Sequence, residues 1–139
     1  MTAGYSGTPL ARKLGIKPGH RVALLGMPRG FEATLDGLPG DARVARGVRG
    51  AGAIDVIVWR PADAAALRAG FAELVDRLTA AGGLWVVWPK KSSGIATDLS
   101  DGVVRAAGLD GGLVDNKVCA VSEVLSGLRF VRRKADRSG

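Results

Sequence analysis

The sequence predicts an α/β fold of three layers, built on one mostly parallel sheet of five to six strands and closed by a C-terminal antiparallel hairpin. Two continuous apolar runs, Arg21 to Gly26 (RVALLG) and Asp55 to Trp59 (DVIVW), are bounded by turn residues. That is the pattern of strands buried on both faces. A third run, Leu84 to Trp88 (LWVVW), follows an amphipathic helical stripe. Strands alternating with helices imply right-handed crossovers, which lay helices on both faces of the sheet.

Each element has its own signal. Thr8-Pro9 reads as a helix start, with Leu10 and Leu14 on one face and Gly15 as a left-handed stop. Lys17-Pro18-Gly19 is a turn, and His20 closes it as a surface or capping residue. Arg21 to Gly26 is the first strand, and Met27 to Phe31 is the loop behind it. Residues 32–53 have a poor helical period, and Ala42 to Arg46 is predicted as a short strand within them.

After the second buried strand, Arg60-Pro61 breaks the chain and Asp63 opens a helix carrying Leu67, Phe71, Leu74, Val75 and Leu78 on one stripe. Ala80 to Gly83 is expected to end that helix. Pro89 to Gly94 is a loop, and Thr97 or Asp98 is expected to cap a helix through Ala107, with Gly108 as its stop. Val114 to Val121 and Leu128 to Arg133 read as two hairpin strands joined by Leu125-Ser126-Gly127. Residues 132–139 are predicted to form a basic, mobile tail on a single domain spanning 1–139.

The chain has 139 residues, of which 47% are hydrophobic and 24% charged, the balance of a globular protein rather than a disordered one. No apolar run reaches the roughly 20 residues a bilayer crossing needs, and the start lacks a signal-peptide pattern. A single cysteine, Cys119, forbids an internal disulfide framework. Together these predict a cytoplasmic protein. The net charge of +7 raises the expectation of polyanionic partners, nucleic acid among them.

The segments Ile54 to Trp59, GGLWVVWPK and the closing hairpin resemble, in their order, the second half of the S-adenosylmethionine-dependent methyltransferase fold. More specifically, GYSGTPLARKLGIKPG, LWVVWPKKSSGIATDL and KVCAVSEVLSGLRFVRR resemble a bacterial family of small Rossmann-like proteins classed as a domain of unknown function. Its signatures here are WPKKSSG and SGLRFVRR. The first resemblance implies a nucleoside cofactor; the second implies the fold and no catalytic residue. The sequence departs from the methyltransferase pattern at two places. The first loop is Gly26-Met27-Pro28-Arg29-Gly30 instead of a G-x-G turn. The short strand ends on Arg46 where those enzymes carry an acid for the ribose hydroxyls, leaving Asp36 and Asp41 as loose candidates.

In a parallel sheet, ligands bind outside the carboxyl ends of the strands. The loops expected there carry Arg29, Arg60, Lys90, Lys91, Ser92 and Ser93, with Gly94 as a flexible member. This cationic, hydroxyl-bearing rim suits a phosphate or carboxylate. Trp88, at a strand end, is a candidate pocket floor. Alternation puts Trp85 on the opposite sheet face from it. Cys119 lies in an apolar strand as an inert thiol, one histidine cannot make a His/Cys metal site, and Ser6, Ser92 and Ser93 have no G-x-S-x-G elbow.

The sequence therefore predicts a non-catalytic regulatory or adaptor domain binding an anionic ligand at that rim. No resident cofactor is expected, with S-adenosylmethionine or a nucleotide as the exceptions. Two alternatives stand beside it. One is an unconventional S-adenosylmethionine-dependent methyltransferase. The other is a basic nucleic-acid-associated protein using Arg43, Arg46, Arg49 and the C-terminal tail. Exposed sheet edges predict a homodimer, a protein partner being the other expectation.

Overall fold

The computed structural model describes residues 8–48, 50 and 52–134. Among them run α1 (Leu10–Lys13), β1 (Arg21–Leu25), a 3-10 turn (Phe31–Thr34), β2 (Arg43–Arg46), β3 (Ile54–Trp59), α2 (Ala64–Asp76), β4 (Leu78–Pro89), a second 3-10 turn (Lys91–Ser93), α3 (Asp101–Asp110), β5 (Leu113–Ala120) and β6 (Leu125–Arg132). The strands form one sheet in the order β2-β1-β3-β4-β6-β5. β2, β1, β3 and β4 are mutually parallel; β6 and β5 run antiparallel at one edge. The predicted α/β class, the mostly parallel sheet and the closing hairpin are all present.

The two faces are covered unequally. On one, α2 and α3 press Leu67, Phe71, Leu74, Val104 and Ala107 onto Ile57, Leu84, Val86, Leu128 and Phe130. Each fully buried large side chain of this kind contributes roughly 1.5–3 kcal/mol, so this face supplies much of the driving force. The other face is covered by α1, the loop after β1 and the first 3-10 turn, where Leu10, Leu14, Met27, Phe31 and Leu35 pack on Val22, Val56, Val58, Trp85 and Val87. Trp85 and Trp88 lie on opposite faces, and the Trp85 indole N–H donates to the Leu14 carbonyl at 2.9 Å.

Several boundaries differ from expectation, for identifiable reasons. Leu78 belongs to β4, where it pairs with Ile54, and Thr79 to Gly83 continue that strand instead of ending the helix. Gly83 sits in a strand because the Arg129 guanidinium occupies the place a Cβ would take. α3 is capped by Ser100, whose Oγ accepts from Val103 N–H, not by Thr97 or Asp98. It runs past Gly108 to Asp110, because Gly108 is the spot on which the Phe130 ring rests, not a stop. Leu125 to Gly127 lie in β6, not in the turn, and Gly127 faces the Trp85 ring. Arg132 is also in β6: its guanidinium donates to the carbonyls of Val75, Leu78 and Thr79, closing the corner between α2 and β4. It is not part of a free tail; residues 135–139 lie outside the described residues, as do Ser6 and Arg49.

Candidate functional site

The strand order reverses between β1 and β3: the chain leaves β1 for β2 on one side and returns to β3 on the other. At such a switch point the crossover loops diverge and leave a crevice outside the carboxyl ends of the strands. Here the two turns are stitched together. Arg60 N–H donates to the Leu25 carbonyl at 2.8 Å, and Gly26, with φ +68°, lies so close to the Arg60 carbonyl oxygen that a Cβ would overlap it. A cavity of about 300 Å³ opens at this junction, walled by Gly26, Arg60, Pro61, Ala62, Pro89 and Thr97. A larger one, about 600 Å³, adjoins it beyond β4; Pro89 and Thr97 line both.

The larger cavity joins an aromatic floor to a mixed rim. Trp88, Leu99, Ile95 and Val118 are its apolar members; Lys90, Lys91, Asp98, Asp101, Ser100 and Ser126 are polar ones. The segment between its walls is fixed at its ends. Ser93 Oγ donates to the Lys90 carbonyl at 2.6 Å and accepts from Ile95 N–H at 3.1 Å. Asp98 Oδ1 accepts from Ala64 N–H at 2.9 Å, so the loop after β4 supplies a cap to α2 alongside Asp63, which accepts from Ala66 N–H.

The rim residues named from the sequence are thus partly separated. Arg60 lines the smaller cavity; Trp88, Lys90 and Lys91 line the larger. Arg29, Ser92, Ser93 and Gly94 follow the same carboxyl ends but line neither. The sequence reading named Asp98 only as a possible cap of the following helix and missed Asp101, and these two make the rim mixed in sign; it also missed Glu32. The cue for Asp98 was present: an acid three residues after Ile95 in a loop facing a helix start, whose N–H groups need acceptors.

At the end of β2, Arg46 does not face solvent as a free cation. Its Nε and Nη2 each donate to a Glu32 carboxylate oxygen at 2.8 Å, its Nη1 donates to the Met27 carbonyl at 2.6 Å, and Nη2 also reaches the Pro28 carbonyl at 2.8 Å. The fork pulls the Glu32 carboxyl down from 4.5 to about 2 and raises the Arg46 guanidinium. The end of β2 therefore carries an ionised carboxylate after all, delivered from the 3-10 turn behind β1. Met27 points into the core, away from the turn.

The remaining candidates have structural partners. His20 Nδ1 accepts from Lys17 N–H at 3.1 Å. Asp115 pairs with Arg105, and Lys117 donates to the Lys13 carbonyl. Cys119 is half-buried, which pushes its thiol pKa up. Among the described residues no cluster of His, Cys, Asp and Glu could hold a metal ion, and no helix is long and apolar enough to cross a membrane.

No protein-family model matches the chain, and no curated protein matches it. Solved structures do. A precorrin-6y C5,15-methyltransferase from Geobacter metallireducens GS-15 superposes with a TM-score of 0.63 at 10% identity, covering 89% of this chain and 86% of that one. A SAM-dependent methyltransferase from Aquifex aeolicus gives 0.60 at 13% identity, with 87% and 86% covered. A magnesium protoporphyrin IX methyltransferase from Synechocystis PCC 6803, solved with bound SAM, gives 0.57 at 13% identity, with 84% and 71% covered. These neighbours correct the expectation of a non-catalytic regulatory or adaptor domain and favour its methyltransferase alternative; the expected lack of a cofactor finds no support in them. The chain has the Rossmann-like fold shared by these methyltransferases.

Proposed function

We propose that this chain binds S-adenosylmethionine in the crevice between β1 and β3 and passes its methyl group to an acceptor seated in the adjoining cavity. One observation carries the reading: the cavity at the Gly26–Arg60 junction lies at the topological switch point, the place where parallel α/β sheets receive ligands. When bound, the cofactor supplies an electrophilic methyl on a sulfonium.

The residues present fit such a group. Gly26 and Ala62 present little side-chain bulk to the crevice, and Arg60 and Pro61 complete its wall. Arg60, which lines the crevice, suits the carboxylate of an amino-acid end. Glu32, held ionised on Arg46 at the end of β2, is the acceptor suited to ribose hydroxyls. Two of the sequence's distinctive stretches border this region: WPKKSSG supplies Trp88, Lys90 and Lys91, and SGLRFVRR begins with Ser126. Arg29, Ser92, Ser93 and Gly94 form the outer rim of the same edge.

A thermal melt tests the proposal. A ligand that binds only the native state at a hundred times its Kd stabilises by about 2.7 kcal/mol. S-adenosylmethionine and S-adenosylhomocysteine should each raise the Tm, whereas ATP at equal concentration should not. A Tm unmoved by both would refute the reading.

A further inference from the structure

We infer that the acceptor is a small planar aromatic molecule, bound with its ring against Trp88; this deepens the methyl-transfer reading and rests on it. Among the described residues five large hydrophobic side chains are exposed, and two of them, Ile95 at 44% and Val118 at 58%, line the same 600 Å³ cavity. Such a volume falls within the roughly 300–1,000 Å³ of small-molecule sites. Its floor is Trp88, itself only 5% exposed and anchored in the core by its neighbours on β4.

The three apolar groups come from three elements: Trp88 from β4, Ile95 from the following loop and Val118 from β5. An indole floor between two aliphatic walls suits a flat ring, which can meet the narrow exposed part of Trp88 as an aromatic edge contact that a saturated ring cannot match. The polar rim argues against a polyanion. Lys90 and Lys91 share the mouth with two carboxylates, Asp98, which caps α2, and Asp101, which pairs with Arg105, so the lining is mixed in sign and not the uniformly cationic surface a phosphate backbone needs. The hydroxyls of Thr97, Ser100 and Ser126 can instead orient a single hydroxyl or amine on the ring, the kind of group a methyl transfer requires.

The probe is 2-naphthol, with cyclohexanol as the saturated control, followed by the NMR shift of the Trp88 indole N–H, assigned by its loss in Trp88→Phe. Saturable movement of that resonance by 2-naphthol and not by cyclohexanol is the expected result. Val118→Asp, on an exposed strand position, should weaken 2-naphthol binding about tenfold, roughly 1.4 kcal/mol, while the Tm and S-adenosylmethionine binding measured by calorimetry stay the same. Equal response to the two probes, or movement confined to Trp59 or Trp85, overturns the aromatic assignment. Calorimetry separates the two readings. Cofactor binding without 2-naphthol binding sinks this inference alone, whereas 2-naphthol binding without cofactor binding removes its role as a methyl acceptor.

Discussion

Arg46 at the end of β2 forks Glu32 with two 2.8 Å hydrogen bonds and donates two more to the carbonyls of Met27 and Pro28. One side chain thereby fastens the edge strand to the turn behind β1. The stretch carries a four-residue 3-10 turn, and Arg46 bonds both its Glu32 side chain and the Met27 and Pro28 carbonyls of the loop that leads into it.

The pH dependence of that contact has a definite sign. The Glu32 carboxyl titrates lower in the native state than in the unfolded chain, so the pair's stabilisation is present above about pH 4.5 and is lost as pH falls toward 2. Glu32→Gln should be less stable than the wild type at neutral pH, and the gap should close across that acid window. Urea midpoints measured from pH 6 to 2 check this; a gap that stays constant contradicts it.

Gly26 holds β1 and β3 together at the crevice. An alanine there takes on a strained left-handed φ and collides with the Arg60 carbonyl oxygen. Gly26→Ala should cost on the order of 1–3 kcal/mol, read as a lowered urea midpoint at unchanged m-value. Wild-type stability in the variant would show that the two turns are not packed as described.

Gly108 lies beneath the Phe130 ring, and a methyl group at that point overlaps the ring edge. Gly108→Ala would gain helix propensity of roughly 1 kcal/mol on an open surface, but here overpacking should outweigh it, with a net loss of about 1–2 kcal/mol. Adding Phe130→Leu should recover part of the loss. A more stable single variant would contradict the packing.

Burial holds the Cys119 thiol above its ordinary range, against the opposing influence of Lys117 and Lys13. Since the thiolate is the reactive form, alkylation by iodoacetamide at pH 8 should run slower than for free cysteine. It should match the free thiol only after unfolding. Equal rates in the native protein would place the thiol in solvent.

Much of the fold is legible in the sequence because β1 and β3 are short apolar runs with turn residues on both sides, and α2 carries an apolar stripe opened by its cap, Asp63. The errors cluster at glycines. Gly83, Gly108 and Gly127 read as stops or turns, yet each serves as the space for a large side chain from elsewhere in the chain: Arg129, Phe130 and Trp85. No local pattern reveals such a partner. The three loops at the carboxyl edge follow from the parallel order, and Arg29, Arg60 and Lys90 do emerge at that edge. Which of them face a cavity, and that Asp98 crosses to α2 or Glu32 to Arg46, depends on contacts 34 and 14 residues apart.

Isothermal titration of the intact chain with S-adenosylmethionine examines the crevice itself. We expect one saturable site per chain, displaced by S-adenosylhomocysteine and weakened by Gly26→Ala more than by Gly40→Ala, a change in open space away from both cavities. Absence of heat up to millimolar cofactor, with the protein shown folded by its melt, would contradict the account.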